Sequence, residues 1–572
     1  EIRSLVGLNF NNMKERVFLP NQGMELYYQG ETYNVSQREN NHLFSFYTNN
    51  YLNFSKQYNV IHDLNVSAGT RIHVNRLQVD FAEAQNLPQN DKFINLQSGQ
   101  SELRSMGGLN NKWNWISLYS QINYKLKDRY ILNAGLSTDY STQTGDDADA
   151  EINMFDLPFG LFYSIGAGWR ISEESFLKQV NGIENLTLRG SYGTTGNNDI
   201  GTYNSLNYYL LAKFRETSGL IPGGIPNETL KYETLKQFNA GFDLSLMGNR
   251  TRFAFDLFKK TTEDMLIYEP QPSYRGFEFR PTNGGTLENT GLEFSLYRRL
   301  IDQNNFKWDL TSAITFYTNE VTEVKGSELV TSFQGGEYVT RKGLPLNSFY
   351  GYEFEGVYAS YEEAADSNMV NAKGFAYGAG DAIYKDISGP DSLPDGVINN
   401  FDKVNLGSPN PDYFGSLSNT FQYKRWSLNM MIQFVVGNEV FNYTRYMNER
   451  MIDVSNQSAS TLNRWQKEGD ETEIPRALWN DPIGNSDFSS RWIEDGSYIR
   501  LKNITLGYDI PGDFLVFKNA SFFLTATNII TLDKYLGYDP EFSYSFNPMA
   551  QGIDYGLMPQ FRKFLIGITV GL

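Results

Sequence analysis

Cysteine is absent from the 572 residues, and histidine occurs only three times, at His42, His62 and His73. The first absence excludes a disulfide scaffold, thiolate zinc sites and cysteine nucleophiles. The three imidazoles are not spaced as a ligand motif, so a histidine metal site is not expected. No run of about 18 apolar residues occurs, so no helix is expected to cross a membrane. Positive charge is scarce: 49 Lys and Arg against 66 Asp and Glu leave a formal charge of −17, which argues against nucleic acid as a partner. There is no nucleophile elbow, phosphate loop or dinucleotide fingerprint, and nothing among the many carboxylates marks an acid from its base. Catalysis is not expected. No secretory signal stands at Glu1, so the chain reads as a mature product or a fragment.

What the chain does have is aromatics and alternation. Tyr and Phe number 37 and 40, and Gly is frequent. A mean hydropathy of −0.45 favours a soluble protein at first sight. A membrane barrel escapes that inference, because only alternate residues of each strand meet lipid. The last stretch, 562–572, shows the pattern. Phe564, Ile566, Ile568, Val570 and Leu572 share one face of an extended strand, and Leu565, Gly567, Thr569 and Gly571 share the other. The same period of two recurs at 115–126 and 130–140, where Ile122, Tyr124, Leu126, Tyr130, Leu132 and Leu136 fall together. It recurs at 238–246, where Phe238, Ala240, Phe242 and Leu244 oppose Asn239, Gly241, Asp243 and Ser245. In 498–508 the phase slips, which predicts a bulge near Lys502-Asn503. About sixteen strands emerge in all, with short turns and long links alternating between them. That parity is expected of an antiparallel transmembrane β-barrel with short periplasmic turns and long extracellular loops. Tyr124, Tyr130, Phe253, Phe421, Tyr423 and Trp426 fall at the expected periplasmic ends.

The longest link, 319–411, is a large extracellular insert, too long for an ordinary connection and so expected to carry structure or function of its own. Within it, Asp391, Asp395, the carbonyl of Val397, Asn399 and Asp402 fall near the ligand positions of a calcium loop, with Gly396 at the sharp turn. Leu393 replaces one oxygen ligand, and a plain Asx-rich turn is the alternative. The acidic run Asp146, Asp147, Asp149, Glu151 reads as a solvated loop. Loop aromatics, Tyr274, Tyr350, Trp465, Trp479, Trp492 and Tyr535 among them, would either grip solute or pack loops onto one another.

Several stretches resemble the SusC-like branch of TonB-dependent outer-membrane transporters of Bacteroidetes. They are Leu235-Lys-Gln-Phe-Asn-Ala-Gly-Phe-Asp-Leu-Ser-Leu with Gly248-Asn-Arg and Lys260-Thr-Thr-Glu-Asp-Met-Leu, then Asn289-Thr-Gly-Leu-Glu-Phe, Lys342-Gly-Leu-Pro-Leu, Gly351-Tyr-Glu-Phe-Glu-Gly-Val-Tyr and Gly380-Asp-Ala-Ile-Tyr-Lys-Asp. Gly407-Ser-Pro-Asn-Pro-Asp, Tyr498-Ile-Arg-Leu-Lys-Asn-Ile-Thr-Leu-Gly-Tyr and Asn528-Ile-Ile with Tyr538-Asp-Pro-Glu follow in order. The resemblance implies a barrel of about 22 strands with an internal plug. It also implies a SusD-like surface lipoprotein as lid, TonB as energy source, and import of oligosaccharides or oligopeptides. Plug, TonB box and the first strands are missing from residues 1–572, so the chain is expected to be the C-terminal part of a longer barrel protein. Gly193-Thr-Thr-Gly-Asn-Asn-Asp also fits the family, and its Asn197, Asn198 and Asp199, with Tyr274, Tyr350 and Trp479, are the expected solute-binding residues. No cofactor is required, calcium in the outer loop apart. The rival readings are a complete passive porin of about sixteen strands and an outer-membrane assembly or adhesion component.

Overall fold

The computed structural model describes residues 1–21, 33–59, 61–88, 95–199, 201–214, 217–510, 519–542 and 551–571. Among these residues the alternating stretches form sixteen long antiparallel strands, joined by one short strand, Ile152–Met154, in the same sheet. The chain divides into two compact units.

The first unit comprises Glu1–Trp169, Ser191–Lys236 and Glu263–Asn283. Its sheet contains β1 (Ile2–Leu19), β2 (Val35–Tyr58), β3 (His62–Gln85), β4 (Arg104–Leu126), β5 (Tyr130–Ser141) and β6 (Leu157–Arg170), each antiparallel to the next. Register sets the side chains in rows. Val66 lies opposite Ile122, which lies opposite Ala134, which lies opposite Ile165. The other face carries polar pairs: the Arg71 guanidinium sits 4.2 Å over the Tyr119 ring, and Tyr119 donates to Asn49 at 2.8 Å.

β7 (Ile183–Asn197) pairs with β8 (Glu233–Leu246), and β9 (Thr251–Glu263) follows. The second unit comprises Arg170–Gly190, Gln237–Thr262 and Gly284–Leu572. Here β9 pairs with β10 (Thr286–Asp302), and the order continues through β11 (Phe306–Glu323), β12 (Tyr413–Tyr423), β13 (Trp426–Val436), β14 (Tyr498–Ile510), β15 (Asn519–Asp533) and β16 (Lys563–Gly571). Phe255, Phe294, Ile314, Gly415 and Phe434 stand in one row across five strands. The Phe255 and Phe294 rings meet at 5.0 Å. On β16, Phe564, Ile566 and Ile568 are 73%, 68% and 68% exposed, continuing the row of Ala526, Leu524 and Phe522. A soluble sheet would hide such a row; against acyl chains it is already solvated. On the opposite face Gly567 is dictated by its neighbour, since a Cβ there would lie 2.2 Å from Phe523 Cζ.

The bulge expected near Lys502-Asn503 is present. Met431 faces Asn503 and Ile432 faces Leu501, so Lys502 is left without a partner in the ladder. The extra residue restores Ile504 and Leu506 to the apolar row while Arg500 stays on the polar face. Near the Lys424-Arg425 turn, Trp426 lies 4.6 Å from Tyr508, and Trp308 stacks on Phe421 at 5.4 Å. These rings form part of the expected aromatic belt at the short-turn ends.

Bounds differ from expectation mainly in the first unit, where β1 runs to Leu19, β2 starts at Val35, β3 reaches Gln85 and β4 starts at Arg104. The polar upper halves of these strands, rich in Asn and Gln, carry too little apolar alternation to be seen. The great insert likewise begins only after Glu323, because β11 continues past Thr318. Val60, Leu572 and the turn around Pro511-Gly512 lie outside the described residues.

The lipid-facing assignment has a direct test. Ile566→Arg should destabilise the folded protein in vesicles by about 2–4 kcal/mol if the site is near the bilayer midplane, and Thr569→Arg on the opposite face by much less. Urea unfolding from lipid vesicles measures both; equal losses would contradict the assignment.

Candidate functional site

The polar face of the second unit is organised by ion pairs. Arg189 reaches both Asp243 (Nε, 2.9 Å) and Asp256 (Nη2, 2.7 Å). Arg299 holds Asp309 through Nε at 2.8 Å and Nη2 at 3.1 Å, and the Tyr297 hydroxyl donates to the same carboxylate at 3.0 Å. Strand alternation makes this arrangement: every second residue turns away from lipid, so charge can stand there and be paired.

Above these strands the long links of the second unit fold together. Segments 324–412, 437–497 and 551–562 all contribute to one apolar core: Tyr338 and Phe349 come from the first, Phe441, Phe488 and Trp492 from the second, Ile553 from the third. A second cluster gathers Tyr352, Tyr358, Tyr377 and Tyr384 with Ala382 and Ile398. Burying such side chains contributes about 1.5–3 kcal/mol each as an upper bound, enough to hold long links as one lobe. Glu328–Phe333, Gly336–Arg341, Ser348–Gly351 and Val404–Gly407 form a four-stranded sheet within it. Two short helices were not foreseen. α1 (Tyr361–Ser367) is capped by Ser360, which accepts from Glu363 N, and α2 (Tyr443–Glu449) by Asn442, which accepts from Arg445 N. Seven residues are too few to show helical periodicity in a sequence.

Charges inside the lobe are paired. Asp381 is fully buried and accepts from Arg476 Nε (2.7 Å), Arg476 Nη2 (2.9 Å), Asn485 Nδ2 (2.9 Å) and Gly378 N (2.8 Å). The Arg491 guanidinium lies 4.3 Å from the Trp492 ring centre, and burial pushes its pKa down to about 10 against the pull of Glu449. Burial raises the Glu439 carboxyl, which accepts from Ser408 N at 2.8 Å. Gly407, the first residue of that Gly-Ser-Pro turn, has φ 126°, and a Cβ on it would strike the Glu439 carboxyl carbon at 2.7 Å.

The link after β15 is fastened to the bulged strand. The Arg500 side chain is almost wholly buried and binds both Asp539 and Glu541, the latter at 2.7 Å, and Lys502 reaches Glu541 at 2.5 Å. Asp539 also accepts from Gln560 N at 2.8 Å. Tyr498-Ile-Arg-Leu-Lys-Asn and Tyr538-Asp-Pro-Glu, two motifs separate in sequence, are thus the two halves of one clamp. Beside it, a cavity of about 390 Å³ opens between α2 and the link, lined by Asn442, Thr444, Arg445, Asn448, Leu536 and Tyr538 among others. Arg445 is held there by Glu449 (3.2 Å) and Glu494 (3.0 Å), and Asp554 by the Tyr535 hydroxyl (2.7 Å). Burial, then that hydrogen bond, raises the Tyr535 phenol.

The expected solute residues are divided between the two units, Asn197, Asn198, Asp199 and Tyr274 in the first and Tyr350 and Trp479 in the second. Asn197 accepts from Asp199 N at 3.1 Å in an Asx turn at the end of β7, with half-buried Asn198 between them. Tyr274 is strongly exposed on the turn Ser273–Arg275 of the same unit. In the other unit, Tyr350 is half-buried under the Arg341 guanidinium, 5.7 Å from its ring centre, and Trp479 is exposed on the lobe. Trp465, Trp492 and Tyr535 pack the lobe interior. The cavity residues Thr444, Arg445 and Asn448 escaped sequence reading, because a helix of about two turns carries no motif. Tyr538 lay within a quoted motif without a role.

The proposed calcium loop is built as hydrogen-bonded turns. Buried Asp402 accepts from Ile387 N (2.8 Å), Ser388 N (3.1 Å) and Asn399 N (2.8 Å). Asn399 donates to the Val397 carbonyl at 2.9 Å, and Asp395 accepts from Val397 N at 3.0 Å. Asp391 sits in an exposed turn. Among the described residues, no three His, Cys, Asp or Glu side chains stand close enough to hold a metal ion. The carboxylate pattern that reads as a ligand set is here capping backbone N–H groups.

A family model described as TonB dependent receptor-like, beta-barrel matches residues 5–529. TonB-dependent receptor P26 of Formosa agariphila is 30% identical over all of this chain and 57% of its own length, and TonB-dependent receptor P3 of the same organism is 29% identical over 91% of the chain and 52% of its own. The chain thus spans about half the length of the curated relatives it matches. The solved RagAB peptide transporter is similar over the whole chain and 60% of its own, with a TM-score of 0.81 at 23% identity, a likeness of fold.

The clamp carries its own prediction. Asp539→Ala leaves buried Arg500 short of one partner and should loosen the link by about 3 kcal/mol. Limited proteolysis within 534–562 should then be faster than in wild type, whereas Arg500→Met combined with Asp539→Leu should recover much of the resistance.

Proposed function

This chain belongs to the TonB-dependent receptor-like β-barrel family of the outer membrane, and on that premise we propose that it is the C-terminal part of a SusC-like active importer of oligomeric nutrients. The observation that carries the reading is the lobe. Three long links fold into one body with paired interior charge and a polar cavity of about 390 Å³, on strands whose non-lipid face is polar. A wall that merely let small solutes diffuse would have no need to order so much chain above it. The cavity combines an arginine, the amide or hydroxyl side chains of Asn442, Thr444, Asn448 and Ser458 and the exposed ring of Tyr538, groups that bind sugar hydroxyls or peptide amides equally well. Cargo is therefore an oligosaccharide or an oligopeptide. Energy comes through TonB, coupled by the part of the protein outside this chain, and a SusD-like lipoprotein covers the lobe.

Uptake of labelled oligosaccharide and oligopeptide pools by cells expressing the complete protein, with and without a protonophore, tests this. One pool should enter in an energy-dependent way, and a surface lipoprotein should co-purify. Tyr538→Ala with Asn448→Ala should slow uptake about tenfold without changing the amount of folded barrel, the effect of losing roughly 1.4 kcal/mol of binding. Entry insensitive to the protonophore would replace this reading with the passive porin.

A further inference from the structure

On β1 to β4 the lipid-facing side continues past the apolar belt, and there its character changes. Along β3, Val66, Ile72 and Val74 share that side, and unbroken alternation brings Arg76, Gln78 and Asp80 onto it. Register extends the row: Phe10 stands opposite Phe44, Phe44 opposite Arg76, and Arg76 opposite Lys112. Further toward the long links, on the same side, Lys14 faces Asn40 and Arg16 faces Arg38. Lys14, Arg16, Arg38, Arg76 and Lys112 thus share one side of four neighbouring strands, starting at the rim of the belt. Arg38 is half-buried and the other four are exposed. Such a cluster stands out in a chain with a formal charge of −17.

Two observations separate this cluster from an ordinary solvated face. The first is register. Arg16 lies directly across from Arg38, and Arg76 directly across from Lys112. Like charges opposed on adjacent strands are destabilising, so two such pairs call for a counter-charge. The second is the lack of one. Among the described residues none of the five cations makes an ion pair or a side-chain hydrogen bond. Asp80 shares their side but accepts from Gln78 Nε2 at 2.9 Å, and Glu15, Glu39 and Glu83 lie on the opposite side of the sheet. In the second unit, by contrast, Lys259 meets Glu288 at 3.0 Å and Arg299 meets Asp309 at 2.8 Å.

Position selects the anion. The cluster begins where the acyl chains of the outer leaflet end, and the Phe10 and Phe44 rings, 5.1 Å apart, mark that rim. We propose that this side of β1 to β4 holds a membrane lipid that carries phosphate groups next to its acyl chains. The cations take the phosphates, with the arginine forks suited to two oxygens at once. Phe10 and Phe44 take the first methylenes, a contact that free phosphate would leave unused. The site faces the membrane and not the cargo, so lipid binding and uptake fail separately.

The test is native mass spectrometry of the complete protein in detergent, titrated with diphosphoryl lipid A and with zwitterionic phosphatidylcholine. Lipid A should bind at least about tenfold more tightly, and inorganic phosphate in large excess should not displace it. Arg76→Gln with Lys112→Gln, both at exposed positions, should weaken lipid A binding about tenfold, whereas Arg76→Lys with Lys112→Arg should retain it. Lys56→Gln with Lys127→Gln removes the same charge at the short-turn ends and should leave binding unchanged. The proposal is overturned if phosphatidylcholine binds as well as lipid A or if inorganic phosphate displaces the lipid. It is equally overturned if the Arg76 and Lys112 double glutamine variant binds like wild type, or if the Lys56 and Lys127 variant loses as much.

Discussion

Water is missing from the middle of a bilayer, and most of this architecture follows from that. A backbone N–H or C=O facing acyl chains has no solvent to bond, so each strand must bond its neighbours. The ladder registers from β1 to β6 and from β9 to β16 meet this demand residue by residue. Pairing in turn imposes a period of two on side chains, and that period sorts the chain into a greasy face and a polar one. The exposed Phe564, Ile566 and Ile568 row and the Arg189, Asp243 and Asp256 cluster are two results of one rule.

The lobe obeys a different rule. Its segments are free of the ladder and fold like a small soluble domain, with an aromatic interior and buried aspartates given several partners. Asp381 receives four hydrogen bonds and Asp402 three. The two regimes meet at the bulge in β14. There Lys502 drops out of register, and Arg500 and Lys502 both turn to the carboxylates of Asp539 and Glu541. A local defect in the sheet is thus the anchor point of the link that closes the lobe, which accounts for a phase slip in an otherwise regular strand.

The strand plan was largely legible in advance. Sixteen strands, the alternation of short and long connections and the bulge near Lys502-Asn503 all follow from hydrophobic phase, which is local. The candidate solute residues Asn197, Tyr274, Tyr350 and Trp479 rest on residue type, and type does not say which rings pack and which are presented: Tyr350 is half-buried, whereas Tyr274 and Trp479 are exposed. Asp395, Asn399 and Asp402 show the same limit: a side-chain oxygen spaced for a cation is also spaced for the backbone N–H groups of a turn, and here each accepts from at least one of them. The acidic run 146–151 keeps its side chains in solvent, as read, but its backbone is pinned to 228–230 beside a cavity, which composition does not announce.

The sequence by itself therefore determined class, strand number, which residues share each face of the sheet and membership of a transport family, because each is written in short-range periodicity or in ordered words. The tertiary structure alone decided which distant segments become neighbours: Arg500 with Asp539, Tyr338 with Phe441 and Ile553, Thr144 with Tyr232. Those pairings depend on how long links close and what volume they leave. Closure is governed by packing across tens to hundreds of residues, a quantity that no local pattern encodes.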